Sequence, residues 1–341
     1  MKALLCREYG PPQSLRLEDL PSPQAGEGQV VVSVRAAGVN FPDSLIIQGK
    51  YQYKPTLPFA PGAELAGIVQ SVGPGVTRFK PGDAVAAITT FGAFASEIAV
   101  AVEDLLLLPP GIDFNHAAAF GMTYGTAFHA LKDRAKLRAG ETLLVLGAAG
   151  GVGLAAVELG KHMGARVIAA AAGKTRLAAC QRYGADAVID YSDMDSAAFR
   201  AALKLAMKQS MTPAAQAAGS EEPAGPDVIF DPLGGAWTEA AFRSIAWRGR
   251  LLVVGFAAGE IPRLPLNLAL LKGASVQGVF WGEFRRREAR LHNANMKQLA
   301  LWISQGELKP LVSATYPLAR GADALDDLLA RKIIGKAVLT L

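Results

Sequence analysis

Cysteine is scarce in this sequence, which has only two in 341 residues. Cys6 and Cys180 lie far apart along the chain, so no disulfide framework is indicated, and free thiols are typical of a reducing compartment. The four histidines are also scattered, at positions 116, 129, 162 and 292. Because a zinc site needs several Cys, His or carboxylate ligands held together, the sequence predicts no metal site.

Long apolar runs are absent as well. Hydrophobic residues make up 51% of the sequence and charged residues 19%, yet no stretch of 18 or more residues lacks polar groups. This composition predicts a soluble globular protein without a membrane-spanning helix. Near the N-terminus Arg7 and Glu8 interrupt the apolar residues, so no secretory signal is expected, and the predicted location is the cytoplasm.

Neither sign of charge is in large excess. The formal net charge of +5 favours anionic ligands weakly and does not require a nucleic-acid partner. One basic cluster, formed by Arg285, Arg286, Arg287 and Arg290, is more typical of a solvated helix face than of a polyanion site.

Two contrasting patterns fill the chain, whose length favours two domains over one core. Up to about residue 120, short β-rich runs alternate with Gly and Pro turns, which is typical of a barrel or sandwich. The strand candidates in this part are Val30–Val34, Gly67–Val72, Ala84–Ile88 and Ser96–Val100.

From about residue 122, apolar strands alternate with helical segments. The predicted strands are Thr142–Leu146, Arg166–Ala170, Ala187–Asp190, Asp227–Phe230 and Leu251–Val254, and the predicted helices are Leu154–Met163, Thr175–Tyr183 and Trp237–Ala246. This alternation predicts right-handed crossovers and a doubly wound parallel sheet. The segment Gln209–Pro226 is predicted to be a surface loop, and Ala274–Trp281 and Ala337–Leu341 are read as further strands.

A glycine-rich turn follows the first strand of this second pattern. Strand Leu143–Leu146 runs into Gly147–Gly153, with Ala148, Gly150 and Gly153 at the three glycine positions of a dinucleotide-binding turn. Gly150 lets the backbone approach a pyrophosphate, Gly153 lets the helix pack on the sheet, and the helix N-terminus offers unpaired N–H groups. The context of strand, turn and helix predicts dinucleotide binding.

The end of the next strand indicates which dinucleotide binds. An NAD site places Asp or Glu there to bind the ribose 2′-hydroxyl. Here Ala169–Arg176 contains no carboxylate, and Lys174 and Arg176 are suited to neutralise a 2′-phosphate, although both also occur as ordinary residues of a first helical turn. The predicted cofactor is therefore NADPH.

Five stretches carry a resemblance to a known family: Gly38–Asp43, Pro61–Gly67, Pro81–Asp83, Gly147–Gly153 and Gly278–Gly282. The chain resembles the zinc-independent NADPH:quinone oxidoreductases, relatives of zeta-crystallin in the medium-chain dehydrogenase/reductase superfamily. The resemblance implies an α/β fold with a GroES-like β-rich catalytic domain, residues 1–122 and 265–341, and a Rossmann NADPH-binding domain, residues 123–264. It also implies a homodimer whose Rossmann sheets pair edge to edge, a role we assign to Ala274–Trp281.

The chain departs from the zinc alcohol dehydrogenases of this superfamily at their ligand positions. Val39 and Asn40 stand where those enzymes carry a ligating Cys, and Ala63 stands in place of a His before Glu64. Their four-cysteine lobe is also missing. The resemblance therefore implies a zinc-independent enzyme, in which Glu64 has a structural partner.

The resemblance also implies which residues contact the cofactor. Asn40 is expected beside the nicotinamide, with a turn residue as the alternative reading; Thr126 and Tyr191 match cofactor-contacting positions, and Phe256, Phe280 and Trp281 either line the cleft or belong to the core. The full expected set is Asn40, Thr126, Ala149, Gly150, Gly151, Val152, Gly153, Gly173, Lys174, Arg176, Tyr191, Gly255, Phe256, Phe280, Trp281 and Lys336.

The acceptor stays open between two classes at this point. A quinone takes a proton from solvent after the hydride, whereas an enoyl thioester or enone needs a positioned acid. Tyr51 matches such an acid in related enoyl reductases, or else it packs a Pro-rich loop, and Leu45 replaces a cleft Tyr of some bacterial quinone reductases. We expect catalysis from Asn40 and Tyr51 on a quinone. The alternatives are an enoyl-CoA or enone reductase and a catalytically quiet, crystallin-like NADPH-binding protein.

Overall fold

The computed structural model describes residues 1–210 and 224–341. Its strands are β1 (Lys2–Leu5), β2 (Arg16–Asp19), β3 (Gln29–Val39), β4 (Glu64–Val72), β5 (Ala84–Ile88), β6 (Glu97–Ala101), β7 (Leu105–Leu107), β8 (Thr142–Leu146), β9 (Arg166–Ala171), β10 (Ala187–Asp190), β11 (Val228–Asp231), β12 (Arg250–Val253), β13 (Ser275–Gly278), β14 (Val312–Pro317) and β15 (Lys336–Thr340). Most of the predicted loop over residues 209–226 lies outside the described residues.

The described helices begin with α1 (Phe41–Ile46), α2 (Phe114–Phe128), α3 (Gly151–His162), α4 (Lys174–Arg182) and α5 (Ser196–Gln209). They continue with α6 (Ala236–Arg243), α7 (Leu266–Lys272), α8 (Trp281–Arg287), α9 (Ala289–Ser304) and α10 (Gly321–Leu329). No helix in the described parts of the chain is long and apolar enough to cross a membrane.

The described chain forms two compact units, and the second boundary differs from the predicted one. The first unit contains residues 1–123 and 296–341, and the second contains residues 124–295. The predicted return to the first domain at residue 265 comes before the observed one at residue 296. Strand β13 pairs in parallel with β12 and completes the sheet of the second unit, which keeps residues 265–295 with that unit.

The first unit is built on a seven-stranded sheet in the order β14-β15-β3-β4-β5-β7, with β6 also pairing with β3. Its longest pair, β3 with β4, is antiparallel and shifts register at two points, which bends and twists the sheet. Alternate side chains of β3, among them Val30, Val32 and Val34, enter a buried core together with Leu65 and Phe94. The predicted β-rich architecture of this part is confirmed.

The second unit contains a six-stranded, all-parallel sheet in the order β10-β9-β8-β11-β12-β13. All five residues of β8 are buried, as expected for a central strand covered on both faces. The chain builds outward from β8 through β9 to β10, then returns to place β11 on the other side of β8. The predicted doubly wound sheet is confirmed, and β8 and β11 mark the point where strand order reverses.

The segment predicted as strand Ala274–Trp281 is divided between two elements. Strand β13 covers only Ser275–Gly278, and α8 begins at Trp281. Trp281 is 6% exposed whereas its neighbour Phe280 is 58% exposed. The buried Trp281 thus begins α8, and the exposed Phe280 precedes it as the helix N-cap.

The arginine cluster belongs to the helices that follow β13. Arg286 and Arg287 pair on α8 with Glu283 at 2.6 and 2.5 Å, three and four residues back along the same helix, and their side chains are well exposed. Such pairs join neighbours on one helix face. This geometry agrees with the expected solvated helix face.

Candidate cofactor and substrate sites

The glycine-rich turn connects the buried strand β8 to the N-terminus of α3. Gly147 has a positive φ of 58°, which glycine adopts without strain, and the Gly150 N–H closes the turn on the Gly147 carbonyl at 3.1 Å. Gly150 is the N-cap of α3. The first N–H groups of the helix therefore point out of the turn without intrahelical acceptors, an arrangement that suits an anion.

The two glycines of this turn differ in the space around them. A Cβ added to Gly153 would lie 2.3 Å from the Gly147 carbonyl oxygen, so the packing of α3 against β8 excludes any side chain there. A Cβ on Gly150 would meet that oxygen at 3.5 Å, an ordinary contact. The packing of the turn therefore tolerates a side chain at Gly150 and does not itself require glycine there.

The basic turn lies after β9, the strand next to β8. Gly173 precedes α4 with a φ of 92°, and Lys174 is the first residue of the helix. Arg176 folds back over this turn, where its Nη1 donates to the Ala172 carbonyl at 3.1 Å. Both cationic side chains thus lie at the end of the strand where a dinucleotide fold reads the ribose.

One carboxylate that sequence reasoning missed also reaches this turn. Asp190 ends β10, and its Oδ1 accepts hydrogen bonds from the Gly173 N–H at 3.1 Å and from the Ser192 hydroxyl at 2.5 Å. The signal was present, since Asp190 ends a predicted strand, but its position beside Gly173 depends on the pairing of β10 with β9.

The carboxyl ends of the parallel strands bring several other predicted residues to one edge of the sheet. Tyr191 follows β10 and lies with its ring 5.1 Å from that of Trp237. Gly255 and Phe256 follow β12, and Phe256 is partly exposed. Phe280 follows β13 and is exposed, whereas Trp281 is buried and Thr126 lies within α2.

A buried carboxylate also shapes this edge of the second unit. Asp231 ends β11, and its Oδ1 accepts the N–H groups of Leu233 and Gly234 at 2.9 Å each, while its Oδ2 accepts the hydroxyl of Thr238 at 2.5 Å. Burial raises the pKa of Asp231, and these hydrogen bonds oppose the rise. Its role is to hold the turn that follows β11.

Two predicted residues of the first unit, Asn40 and Lys336, lie together with Glu64 at one end of three adjacent strands. Strand β3 pairs with β15 and with β4, so Asn40 after β3, Lys336 at the start of β15 and Glu64 at the start of β4 meet. All three side chains are buried. The pairing places Gly38 opposite Glu64, and a Cβ at Gly38 would lie 2.3 Å from Glu64 Oε1, so glycine leaves room for the carboxylate.

These three side chains form a closed hydrogen-bonded cluster. Lys336 Nζ donates to Glu64 Oε1 at 2.5 Å, to Asn40 Oδ1 at 2.7 Å and to the Val39 carbonyl at 3.0 Å. Asn40 Nδ2 donates to Glu64 Oε1 at 2.9 Å, and Glu64 Oε2 accepts the Met122 N–H at 2.8 Å. The ammonium can only donate and the carboxylate can only accept, so they fix the orientation of the Asn40 amide.

Asp43 adds a second buried carboxyl group that sequence reasoning did not single out. It lies in the first turn of α1 and accepts the Asn40 backbone N–H at 2.7 Å, an N-capping arrangement that the Asn-x-x-Asp spacing itself predicts. Burial raises the pKa of Asp43 to about 7, the Asn40 N–H and Lys336 oppose the rise, and Glu64 adds to it.

Tyr51 packs against the core of the first unit and is partly buried. Its hydroxyl has no hydrogen-bond partner among residues 1–210 and 224–341. Burial, and to a lesser extent the charge of Asp43, raise the pKa of Tyr51. The phenol is therefore protonated at neutral pH and keeps a donor for an external acceptor.

The residues at the expected zinc positions do not fit a zinc ion. Val39 offers only its carbonyl oxygen, which already accepts from the Lys336 ammonium, and Ala63 offers only its carbonyl oxygen, which already accepts the Thr89 N–H at 2.8 Å. Within the described ranges, no group of three or more His, Cys, Asp or Glu side chains is arranged to hold a metal. A cationic ammonium already pairs with Glu64 beside these positions.

Comparison with known proteins agrees with both units. Residues 26–110 match the alcohol dehydrogenase GroES-like domain family, and residues 151–296 match the zinc-binding dehydrogenase family. The quinone oxidoreductase-like protein 2 homolog of Nematostella vectensis is 37% identical over 342 residues, which cover 99% of this chain and 88% of that protein.

Two solved structures are similar over their whole length. A probable oxidoreductase from Mycobacterium abscessus is 39% identical with a TM-score of 0.84, covering 100% of this chain and 99% of that one. The Escherichia coli quinone oxidoreductase complexed with NADPH is 26% identical with a TM-score of 0.87, and each chain is covered completely. The first unit is thus GroES-like and the second of Rossmann type, and the chain belongs to the quinone oxidoreductase family of the medium-chain dehydrogenase/reductase superfamily.

Proposed function

We propose that the protein binds NADPH and reduces a quinone without a metal ion. The observation that carries this proposal is the glycine-rich turn beside the reversal point of the parallel sheet, where Gly150 caps α3 and the fold leaves space beside it for a ligand. Dinucleotides bind at such reversal points. A relative with the same fold is a quinone oxidoreductase complexed with NADPH. When bound, NADPH supplies the hydride.

The second unit supplies most of the proposed cofactor contacts. The open N–H groups at the start of α3 suit the pyrophosphate, and Lys174 and Arg176 suit the 2′-phosphate. We propose Tyr191 as a contact on the adenine side, as the resemblance implies. Further contacts are proposed for Thr126, Ala149, Gly150, Gly151, Val152, Gly153, Gly173, Gly255, Phe256, Phe280 and Trp281.

The first unit supplies the proposed residues beside the reacting atoms. Asn40 is held in one orientation by Lys336 and Glu64, so a ligand meets an amide that does not reorient. The three N–H groups of Lys336 are already matched to three oxygens, so we assign Lys336 to the support of Asn40 in cofactor binding. The chain's own ammonium neutralises Glu64, which supports a zinc-independent enzyme.

A second candidate function, reduction of an enone or enoyl thioester, is favoured by Tyr51. Its hydroxyl is protonated and lacks a partner among the described residues, as a proton donor requires. A quinone does not need this donor, because water can protonate both of its oxygens. A carbanion next to a thioester does need one.

The test of the proposed reaction is NADPH oxidation with quinones, enones and crotonyl-CoA, monitored by absorbance. We expect efficient turnover of ortho- or para-quinones, unchanged by chelators. Turnover of crotonyl-CoA alone would select the second candidate. NADPH binding without oxidation by any acceptor would indicate a catalytically quiet, crystallin-like protein, and loss of activity on zinc removal would contradict the metal-free mechanism.

Substitution of Tyr51 separates the two reactions. Tyr51→Phe keeps the packing and removes the hydroxyl, so quinone turnover should change less than about twofold, whereas a proton-donor role on a thioester would lower turnover by about 10²–10⁴-fold. Tyr53→Phe is the control, because Tyr53 lies in the same Pro-rich segment and is exposed.

We further propose a homodimer formed through the β13 edge, in the cytoplasm. Strand β13 has β12 as its only strand partner among the described residues, and nearby Leu266, Leu270 and Leu271 are exposed by 78%, 80% and 68%. The unpaired N–H and C=O groups of an edge strand beside an apolar surface can pair with the same strand of a second copy of the chain. Leu270→Glu should dissociate the dimer in sedimentation equilibrium, while Leu205→Glu, at another exposed helix position away from β13, should not. The unpaired, buried thiols of Cys6 and Cys180 suit the cytoplasm.

A further inference from the structure

The carboxylate of Asp190 lies at the turn that we assign to the 2′-phosphate of NADPH. Strands β9 and β10 are parallel, and their last residues, Ala171 and Asp190, are paired with each other. The two strands therefore end side by side. Asp190 Oδ1 accepts the N–H groups of Gly173 and Ser192, at 3.1 Å each, and the Ser192 hydroxyl at 2.5 Å. A carboxylate thus reaches this turn from β10, although β9 itself ends without one.

Hydrogen bonding keeps this group charged. The Ser192 hydroxyl, followed by the N–H groups of Gly173 and Ser192 and by the charge of Lys174, holds the pKa of Asp190 below its usual range. The side chain is therefore ionised throughout the neutral range. The turn carries one fixed negative charge beside the positive charges of Lys174 and Arg176.

We propose that Asp190 is a specificity-determining residue that limits the preference of this protein for NADPH over NADH. The inference rests on the proposed cofactor site. A 2′-phosphate brings between one and two negative charges to the turn, where the Asp190 carboxylate repels it. The ribose hydroxyl of NADH brings none. Asp190 therefore offsets part of the attraction by Lys174 and Arg176 for NADPH and leaves NADH binding nearly unaffected.

The charge of Asp190 can be separated from its structural role. Asp190→Asn keeps an Oδ1 acceptor for the N–H groups of Gly173 and Ser192 and removes the negative charge. Asp193→Asn is the matched control, because it removes the same charge from an exposed position three residues later.

The experiment is titration of each purified protein with NADPH and with NADH, followed by nicotinamide fluorescence. In Asp190→Asn we expect the ratio of the NADH dissociation constant to the NADPH dissociation constant to rise about three- to tenfold at low salt. The gain should shrink at about 0.5 M salt because exposed charges are screened. Asp193→Asn should change the ratio less than about twofold.

Two outcomes would overturn the inference. An unchanged or smaller ratio in Asp190→Asn means that the carboxylate does not oppose the phosphate. An equal loss of affinity for both cofactors means that Asp190 only shapes the turn. Lys174→Gln and Arg176→Gln separate these results from failure of the site itself: if they lower the ratio while Asp190→Asn leaves it unchanged, the site stands and only the inference fails. If none of the three variants changes the ratio, the site is wrong.

Discussion

The glycine-rich turn of the second unit and the polar cluster of the first unit are built in opposite ways. The turn is a continuous segment, Gly147–Gly153, whose geometry depends on its backbone and on the absence of side chains. The cluster joins Asn40, Glu64 and Lys336, which are up to 296 positions apart, and its geometry depends on side chains that hydrogen-bond to one another. The turn should therefore be disrupted by substitutions that add atoms to its glycines. The cluster should be disrupted by substitutions that remove one of its hydrogen-bonding side chains.

Removing the ammonium from the cluster should have the largest effect. Lys336→Met leaves the Glu64 carboxylate buried without its counter-ion, which typically costs about 3–5 kcal/mol. We expect the free energy of unfolding in urea to fall by that amount. The double variant Lys336→Met/Glu64→Gln should recover part of the loss, because no buried charge remains. A loss below about 1 kcal/mol for the single variant would contradict a buried pair.

The second effect is on the pH dependence of stability, through Asp43. Its pKa is about 7 in the folded protein and about 3.9 in an unfolded chain, so between these values the folded state binds the extra proton. Stability from this group is complete below about pH 4 and is lost as pH rises through about 7, a change of about 2–4 kcal/mol.

Asp43→Asn should therefore flatten the fall in unfolding free energy between pH 4 and 7, measured by urea titration at each pH. Asp83→Asn is the control, because Asp83 accepts the Lys80 N–H at 2.9 Å in a surface turn. Stability that rises over this range in the wild type, with the rise abolished by Asp43→Asn, would show that the Asp43 carboxylate is favoured in the fold.

Adding one methyl group tests the turn. Gly153→Ala forces a Cβ to within 2.3 Å of the Gly147 carbonyl oxygen and should lower the unfolding free energy by about 1–3 kcal/mol, with NADPH binding lost. Gly150→Ala meets only an ordinary 3.5 Å contact, so stability should be kept while NADPH binding weakens. Calorimetry and fluorescence titration check both. Equal destabilisation by the two variants would remove the distinction between packing and ligand approach.

The smallest expected effect is on cofactor choice. We expect NADPH to bind at least about 1.4 kcal/mol, or tenfold, tighter than NADH, and Arg176→Ala to narrow this difference because a bidentate phosphate partner is lost. Titration with both cofactors measures it. Equal affinity of the wild type for NADPH and NADH would contradict the assignment of this turn to the 2′-phosphate.

The sequence predicted most of the second unit because its signals are local. Thr142–Leu146 and Ala187–Asp190 were predicted with their observed bounds, since apolar runs and glycine turns fix strand ends directly. The boundary at residue 265 was implied by the family resemblance and not by a local signal, and it separated Ala274–Trp281 from the sheet whose edge we expected it to form. The pairing of β13 with β12 shows which unit this strand joins.

What the sequence determined by itself is the alternation of strands and helices, the glycine-rich turn and the lack of an acid after β9, because each depends on neighbours in the chain. What only the tertiary structure decided is which polar groups meet. Lys336 reaches Asn40 and Glu64 through the order of β15, β3 and β4, and Asp190 reaches Gly173 through the register of β10 on β9. Strand order and register are set by burial of whole sheet faces, so residues distant in sequence are paired by the packing of the complete fold.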